Sequence, residues 1–246
     1  MPSLNGIGGG CTRCGDALDG FPSTALCRAC RLVPPPFERA VAYGLYQGRM
    51  RDAVHALKYQ RLRPAARGLG RMLARAIAQL AEEAPGEMLV VPVPLHKRKA
   101  AQRGFNQALA LGREALRFLG RSHPAWRLAL APRVLVRVRA TESQAGLTPR
   151  QRRLNVRAAF AVSDPAAVND RHILLIDDIM TTGATARAAA LALRRAGAAS
   201  VWVATLARAR RTAGFGFSFG QDTGEANSSE PVSTGRFSSQ AQPSFG

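Results

Sequence analysis

One stretch, His172 to Thr185, constrains this chain more than any other. It opens on four consecutive apolar residues, Ile173 to Ile176, and such a run is typical of a strand buried on both faces of a parallel sheet. Two carboxylates, Asp177 and Asp178, follow at once. Because ligands of open α/β sheets bind beyond the carboxyl ends of the strands, we expect this acidic pair to face a ligand.

The segment after the acidic pair predicts a phosphate-binding loop. A strong helix former, Ala186 to Ala196, comes next, with Gly197 in the expected C-cap place. A loop that opens a helix points free N–H groups outward and adds the positive end of the helix dipole, which together favour phosphate. The loop residues are Thr181, Thr182, Gly183, Ala184 and Thr185.

The acidic pair and the loop suit different parts of one ligand. Carboxylates repel phosphate, but they suit sugar hydroxyls, a magnesium ion or developing positive charge. A phosphorylated sugar therefore satisfies both halves of the stretch. The alternative is a structural strand-to-helix turn with an incidental acidic pair. Neither G-x-x-x-x-G-K-[ST] nor G-x-G-x-x-G occurs in the sequence, so the usual nucleotide-binding loops do not compete.

The charge of the chain predicts an anionic partner. The 246 residues include 35 basic and 16 acidic side chains, for a formal net charge of +19. This excess favours a pyrophosphate substrate, nucleic acid or both. No apolar run approaches the roughly 18 residues of a membrane span, and no basic segment followed by an apolar core opens the chain. We therefore expect a cytoplasmic protein with no membrane insertion.

Composition divides the chain into four parts. Residues 1–10 are glycine-rich and predicted to be flexible, and residues 11–35 contain all the cysteines and end in a stiff proline run. Residues 36–211 carry the pattern of an α/β domain. Residues 212–246 are rich in Gly, Ser, Gln and Thr without a period, which predicts a disordered tail.

The cysteines predict a structural metal site. They are spaced C-x2-C, twelve residues, C-x2-C, and are Cys11, Cys14, Cys27 and Cys30. Two close pairs in a cytosolic chain are typical of tetrahedral zinc, and four protein ligands leave no open position for catalysis. Disulfides are the alternative, but the cytosol keeps thiols reduced.

Hydrophobic periodicity predicts the remaining elements of the domain. Strands are expected at 41–46, 88–93, 134–138 and 200–206, and helices at 48–60, 67–83 and 107–119. Between the second strand and its helix, a basic loop includes Lys97, Arg98 and Arg103. Because this loop follows a strand's carboxyl end, its cations are expected to contact a pyrophosphate in the same crevice. The polar, basic segment Thr141–Asn155 is a candidate lid, with an ordinary surface excursion as the alternative.

The acidic stretch resembles the binding signature of the type I phosphoribosyltransferases, and the chain as a whole is similar to the ComF family (ComFC- or GntX-like proteins). Besides the cysteines, three motifs carry the resemblance between Cys11 and about Arg208: VPVPLHKRKAAQRGFNQA from Val91, TESQAGLTPRQRRLNVRAAF from Thr141 and LLIDDIMTTGAT from Leu174. The tail lies outside the resemblance.

This resemblance implies a type I phosphoribosyltransferase fold, a central parallel sheet with flanking helices and a hood, behind a zinc ribbon. It implies that Asp177 and Asp178 hold the ribose hydroxyls and that the Thr181–Thr185 loop holds the 5′-phosphate. It also implies a basic residue at Lys58–Tyr59. The residues that it assigns to the pyrophosphate side are Arg103, Gly104, Asn106 and Gln107, and those in the hood include Thr141, Gln144, Arg153 and Asn155.

Three function hypotheses follow from the resemblance and from the charge of the chain. In the first, the protein binds phosphoribosyl pyrophosphate with magnesium and transfers or senses the phosphoribosyl group, with a link to natural competence and DNA uptake. In the second, it is a single-stranded DNA-binding module of the competence machinery whose phosphoribosyl pocket is regulatory. In the third hypothesis, the protein is a regulator that has the same fold and no catalytic activity. The acceptor of a transfer reaction is not declared by any motif.

Overall fold

A parallel sheet organises the part of the chain that this computed structural model describes, which comprises residues 10–17, 25–59, 63–96, 100–101, 104–138 and 159–210. The strands of this sheet are β1 Ala40–Leu45, β2 Glu87–Pro92, β3 Arg127–Leu130, β6 His172–Met180 and β7 Ser200–Arg208. Within those ranges the sheet has five strands in the order β1-β7-β6-β2-β3, and every pairing is parallel. The α/β fold class predicted from the sequence is confirmed.

Helices cover both faces of the sheet. Their bounds are α1 Arg28–Leu32, α2 Gly48–Tyr59, α3 Arg63–Ala78, α4 Gln107–Ser122 and α5 Ala184–Arg195. Apolar residues of α2, α3 and α4 pack on one face, and those of α5 pack on the other face together with the four cysteines.

The central strand, β6, explains why its apolar run is unbroken. Ile173 and Leu175 belong to the core cluster beneath α5, whereas Leu174 and Ile176 belong to the cluster beneath α2, α3 and α4. All four side chains are fully buried. Alternate residues of one strand therefore enter two cores, as expected for a strand covered on both faces.

The acidic pair lies inside this strand, not after it. The apolar run alone placed the end of the strand at Ile176, but β6 continues to Met180 because β7 pairs with it as far as Met180–Arg208. On the other side, pairing with β2 stops at Pro92–Ile176. Asp177 and Asp178 therefore extend beyond the end of β2 while β7 still holds their backbone.

Other elements differ from the sequence prediction in position or partner. The strand expected at 134–138 is the short β4, Leu135–Arg137, which pairs antiparallel with β5, Phe160–Val162, outside the main sheet. The helix expected at 67–83 runs over 63–78. Neither α1 nor β3 was predicted, because α1 is five residues long and β3 is a four-residue strand that alternates between exposed and half-buried.

Three predicted segments fall on residues outside the described ranges. They are the flexible N-terminus up to residue 9, the hood residues Thr141, Gln144, Arg153 and Asn155, and the tail 212–246. Among the helices that the structure describes, none combines the length and apolar character needed to cross a bilayer.

The packing of α3 against α4 leads to a stability prediction. Gly70 is buried, and a Cβ added there would lie 2.3 Å from Cβ of Glu114 and 3.2 Å from the backbone of Ala115. Because such overpacking forces the helices apart, we expect Gly70→Ala to lower the free energy of unfolding by about 1–3 kcal/mol, measured by urea denaturation. The matched control is Gly68→Ala in the same helix, where nothing lies within 4 Å. It should be neutral or raise stability by up to ~1 kcal/mol; equal effects of the two substitutions would contradict the packing argument.

Candidate functional site

The loop between β6 and α5 has the geometry of an anion-binding helix start. Gly183 adopts the left-handed conformation with φ of 77° and is the N-cap of α5. The amide of Ala184 donates to Oγ1 of Thr182 at 3.3 Å, and the amide of Arg187 donates to the Gly183 carbonyl at 2.9 Å as the first turn closes. The positive end of the α5 dipole therefore opens at this loop.

The loop and one carboxylate of the acidic pair, Asp177, line one concave surface. Its residues in the described part of the chain are Asp177, Ile179, Met180, Thr181, Thr182, Gly183, Ala184, Thr185, Ala186 and Thr205. Thr205 was not predicted as part of the site. It lies on β7 directly beside Asp177, and only strand pairing, which the sequence did not declare, places it there.

The two carboxylates of the acidic pair have different surroundings. Asp178 is buried, and its Oδ2 lies 3.2 Å from Nζ of Lys58. Asp177 is half-buried, and its Oδ1 accepts a hydrogen bond from the Asp178 amide at 2.8 Å. Burial, followed by the neighbouring charge of Asp178, raises the pKa of Asp177 well above its ordinary value of 3.8. Asp178 is thus paired with a cation, whereas Asp177 is the carboxylate that a ligand cation or hydroxyl would stabilise.

Lys58 reaches the site from the last turn of α2. The resemblance had marked this position as basic, and the structure adds its partner, the carboxylate of Asp178 at 3.2 Å. The side chain of Lys58 is 20% exposed and that of Asp178 is 13% exposed, so water screens this ion pair only partly. Lys58 therefore holds the carboxylate of Asp178, the more buried member of the pair, in a fixed position.

A second cation, Arg137, lies near the acidic pair. Arg137, on β4, holds its guanidinium carbon 5.3 Å from the centroid of the Phe160 ring on β5. Burial lowers the pKa of Arg137, and the charge of Asp177 opposes that shift. The short antiparallel pair of β4 and β5 therefore brings positive charge toward the acidic strand end. The sequence offered no signal for this, since it gave neither the pairing nor the orientation of these two strands.

The turn after β2 is held by Asn106, one of the residues assigned to the pyrophosphate side. Its Nδ2 donates to the Val93 carbonyl at 3.0 Å, and its Oδ1 caps α4 by accepting from the Leu109 amide at 3.2 Å. Gly104 adopts φ of 75°, and Gln107 is only 1% exposed. In this structure Asn106 ties Val93, the residue after β2, to the start of α4, and Gln107 is buried in the first turn of that helix. Lys97, Arg98 and Arg103 lie outside the described residues, and their contact with pyrophosphate stays a prediction.

The four cysteines form one buried cluster. Their sulfur atoms all lie within 4.8 Å of one another, no disulfide joins them, and Sγ of Cys14 is 3.7 Å from Sγ of Cys27. In a tetrahedral zinc site with Zn–S bonds near 2.3 Å, sulfurs lie about 3.8 Å apart. The geometry fits a four-thiolate metal site.

The electrostatics of the cluster point the same way. Hydrogen bonds from Cys14 and Cys30 lower the pKa of the Cys11 thiol, whereas the pKa of Cys14 is raised to about 11, chiefly by its hydrogen bond to Cys11. The pKa of the Cys30 thiol is raised by its hydrogen bonds to Cys11 and Cys14. A cation among the four sulfurs would favour their thiolate forms.

The chain is similar to one family model and to several known proteins. The family model described as "Phosphoribosyl transferase domain" matches residues 112–215. DNA utilization protein YhgH of Escherichia coli (strain K12) is 35% identical over 201 residues, which cover 80% of this chain and 83% of that protein. The chain belongs to the ComF family. Competence protein F of Haemophilus influenzae is 28% identical to this ComF-family chain over 204 residues, covering 81% of this chain and 84% of the relative. Among solved structures, the hypoxanthine phosphoribosyl transferase of Trypanosoma cruzi matches 61% of the chain at 16% identity, with a TM-score of 0.37.

The unequal surroundings of the acidic pair lead to a pH prediction. The pKa of Asp177 is raised in the folded state, so the folded protein favours the protonated carboxyl group. The stability that this protonated form contributes is present at low pH and is lost as pH rises through the folded-state pKa. We therefore expect Asp177→Asn to raise the free energy of unfolding at neutral pH, with the gain vanishing below pH 3.8, the ordinary value of the group.

Asp178→Asn is the matched comparison for Asp177→Asn. It deprives Lys58 of its charged partner and should lower stability at neutral pH by about 1–2 kcal/mol. Denaturant titrations of the free protein across pH distinguish the two variants. Equal loss of stability in both, at every pH, would contradict the assignment.

Proposed function

We propose that this ComF-family protein binds phosphoribosyl pyrophosphate with magnesium and transfers or senses its phosphoribosyl group. The observation that carries the proposal is the shared concavity in which an acidic strand end meets a helix-opening loop. A phosphorylated, hydroxyl-rich sugar is the ligand class that matches both linings. The phosphoribosyl transferase domain match over residues 112–215 supports the same class.

The loop is suited to the 5′-phosphate. Thr181, Thr182 and Thr185 offer hydroxyl donors, and the amides at the start of α5 add backbone donors together with the helix dipole. Hydrogen bonds to charged oxygens contribute roughly 1.5–3 kcal/mol each, so a few of them fix the phosphate. The left-handed Gly183 lets phosphate approach the backbone without a Cβ in the way.

The acidic pair is suited to the ribose. Its carboxylates accept hydrogen bonds from the two ribose hydroxyls, and Asp177, whose pKa is raised by burial and by Asp178, gains most from a new donor or cation. Lys58 holds Asp178 in place for this contact. When transfer occurs, the negative charge of the pair stabilises positive charge that develops on the sugar as pyrophosphate leaves.

Two cations are proposed with different tasks. Magnesium, when bound with the substrate, neutralises charge on pyrophosphate and ribose oxygens, and Asp177 and Asp178 are the side chains available to approach it. Zinc is proposed at the four cysteines, with a structural role because four thiolates complete its coordination.

Two further segments are proposed to contact the substrate. The basic loop that includes Lys97, Arg98 and Arg103 is proposed to contact the pyrophosphate, and the segment 141–155 is proposed to close over the site as a hood.

Substitutions in the acidic pair test the sugar assignment. We expect Asp178→Asn to weaken binding of phosphoribosyl pyrophosphate in the presence of magnesium by about tenfold or more, because hydrogen bonds from the ribose to a charged acceptor are lost. Isothermal titration calorimetry measures this directly. Asp52→Asn, an exposed carboxylate on α2, is the control and should leave affinity within about twofold. Unchanged affinity in Asp178→Asn would overturn the assignment, and pyrophosphate release in a screen of nitrogenous acceptors separates transfer from sensing.

A second candidate function follows from the relatives and from charge. The relatives are named for DNA utilization and competence, and this chain carries a net charge of +19. We propose that the protein also contacts single-stranded DNA, with the phosphoribosyl pocket acting as a regulatory site in that setting. Cytoplasmic residence is part of both candidate functions.

Salt dependence tests the DNA contact. If arginines neutralise several phosphates, affinity for a single-stranded oligonucleotide falls steeply between about 50 and 200 mM salt, with a log–log slope near −0.7 per phosphate neutralised. Fluorescence anisotropy at several salt concentrations measures that slope. The Asp178→Asn variant is the control, because it removes no positive charge and should keep the wild-type slope. Affinity that ignores salt, or no binding at low salt, would dispose of the DNA candidate.

A further inference from the structure

A buried arginine at the end of β7 joins two parts of the chain. One is the cysteine segment, which here means residues 11–17 and 25–33, and the other is the phosphate loop, Thr181–Thr185. Arg208 is 1% exposed. Its Nε donates to the carbonyl of Cys14 at 3.2 Å, and its Nη1 donates to the carbonyls of Met180, at 2.9 Å, and Thr181. One guanidinium therefore binds a metal-site residue on one side and the first peptides of the loop on the other.

The charge of Arg208 is balanced from the cysteine side. Its Nη2 lies 3.4 Å from Oδ1 of Asp16, which is 5% exposed. Asp16 is held where it is by the Cys11–Cys14 turn, since the Cys11 amide donates to the Asp16 carbonyl at 2.8 Å and the Gly15 amide donates to the Cys11 carbonyl at 2.8 Å. The position of the counter-ion therefore depends on the conformation of the first cysteine pair.

A second arginine makes the same connection to the other cysteine pair. Arg187 lies in the first turn of α5, where its amide donates to the Gly183 carbonyl at 2.9 Å. Its Nη1 donates to the Val33 carbonyl at 3.0 Å, and its Nη2 lies 3.9 Å from Sγ of Cys30. Both ends of the phosphate loop are thus tied to the cysteine segment, one end through Arg208 and the other through Arg187.

The contacts of Arg208 also orient the loop amides. In a planar trans peptide the carbonyl and the following N–H point in opposite directions. Because Arg208 binds the carbonyls of Met180 and Thr181, the N–H groups of Thr181 and Thr182 point away from it. Both threonines line the concavity, so the guanidinium behind the loop favours donors on the ligand side.

We propose that Arg208 and Arg187 are positioning residues through which the metal-loaded cysteine centre holds the phosphate loop in its binding conformation. The planar, five-donor guanidinium suits this task, because it binds several carbonyls and a carboxylate at once. Loss of the metal frees the Cys11–Asp16 turn and the Cys30 segment, and with them the supports of both arginines. The identity of the ligand rests on the proposed function, but the mechanical link does not.

Hydrogen exchange in the loop is the direct test. Zinc-loaded wild type is compared with protein stripped by a chelator and with Arg208→Lys, Asp16→Asn and Arg187→Met. We expect the hydrogen-bonded amides at the start of α5, those of Ala184 and Arg187, to exchange at least about tenfold faster in the stripped protein and in the variants, while those of β2 and α4 keep their protection. The control is Arg194→Met at the far end of α5, whose guanidinium binds the carbonyls of Ala198 and Ala199 and no cysteine segment. It should leave loop exchange unchanged.

A titration with phosphoribosyl pyrophosphate is the second readout. Affinity should fall about tenfold or more in Arg208→Lys and Arg187→Met while bound zinc, measured by atomic emission, stays at one ion per chain. If wild type fails to bind this ligand, the proposed function fails, and loop exchange still tests the link. If Arg208→Lys does not fold, the proposal is tested by Asp16→Asn, Arg187→Met and metal removal, because each of these keeps the guanidinium of Arg208. Unchanged loop exchange after zinc removal, or a uniform loss of protection throughout the chain, overturns the proposal.

Discussion

The pairing of β6 with β7 is the constraint on which the rest of the structure depends. It continues for the full length of both strands, from His172–Ser200 to Met180–Arg208, and so carries two carboxylates past the end of β2. A carboxylate pair at the end of a buried strand is unfavourable unless something opposes its charge. The fold supplies Lys58 to Asp178 and leaves Asp177 with a raised pKa. Burial and the charge of Asp178 thus favour the protonated form of Asp177, and a donor or cation placed beside it would favour the charged form.

The same pairing delivers Arg208 beneath the loop that follows β6. A fully buried guanidinium is tolerated only when most of its donors have acceptors and its charge is balanced. Here the acceptors are carbonyls of the cysteine segment and of the loop, and the counter-ion is Asp16. The cysteines themselves lie in the same hydrophobic cluster as α5 and one face of the sheet. The cysteine segment and α5, which follows the loop, consequently share a core, and this shared core is the physical basis of the proposed link between them.

Several parts of this arrangement were predictable because they depend on local rules. The unbroken apolar run predicted a strand covered on both faces, and Gly183 between threonines predicted a helix-opening loop. The cysteine spacing predicted a close tetrad, and the tetrad is present. Where local rules were incomplete, predictions shifted. The strand end was placed too early because an Asp pair looks like the end of an apolar run, and β4 was not assigned to a separate antiparallel pair because its partner β5 is only three residues long.

The sequence by itself determined the α/β class, the acidic pair, the loop that opens α5 and the four cysteines, because each is encoded by residue type and short-range spacing. Only the tertiary structure decided that Lys58 pairs with Asp178, that Thr205 lines the concavity and that Arg208 joins Cys14 to Thr181. These contacts link residues far apart in the chain, and they exist because strand order and register bring the residues together. A single sequence specifies neither strand order nor register through any local pattern.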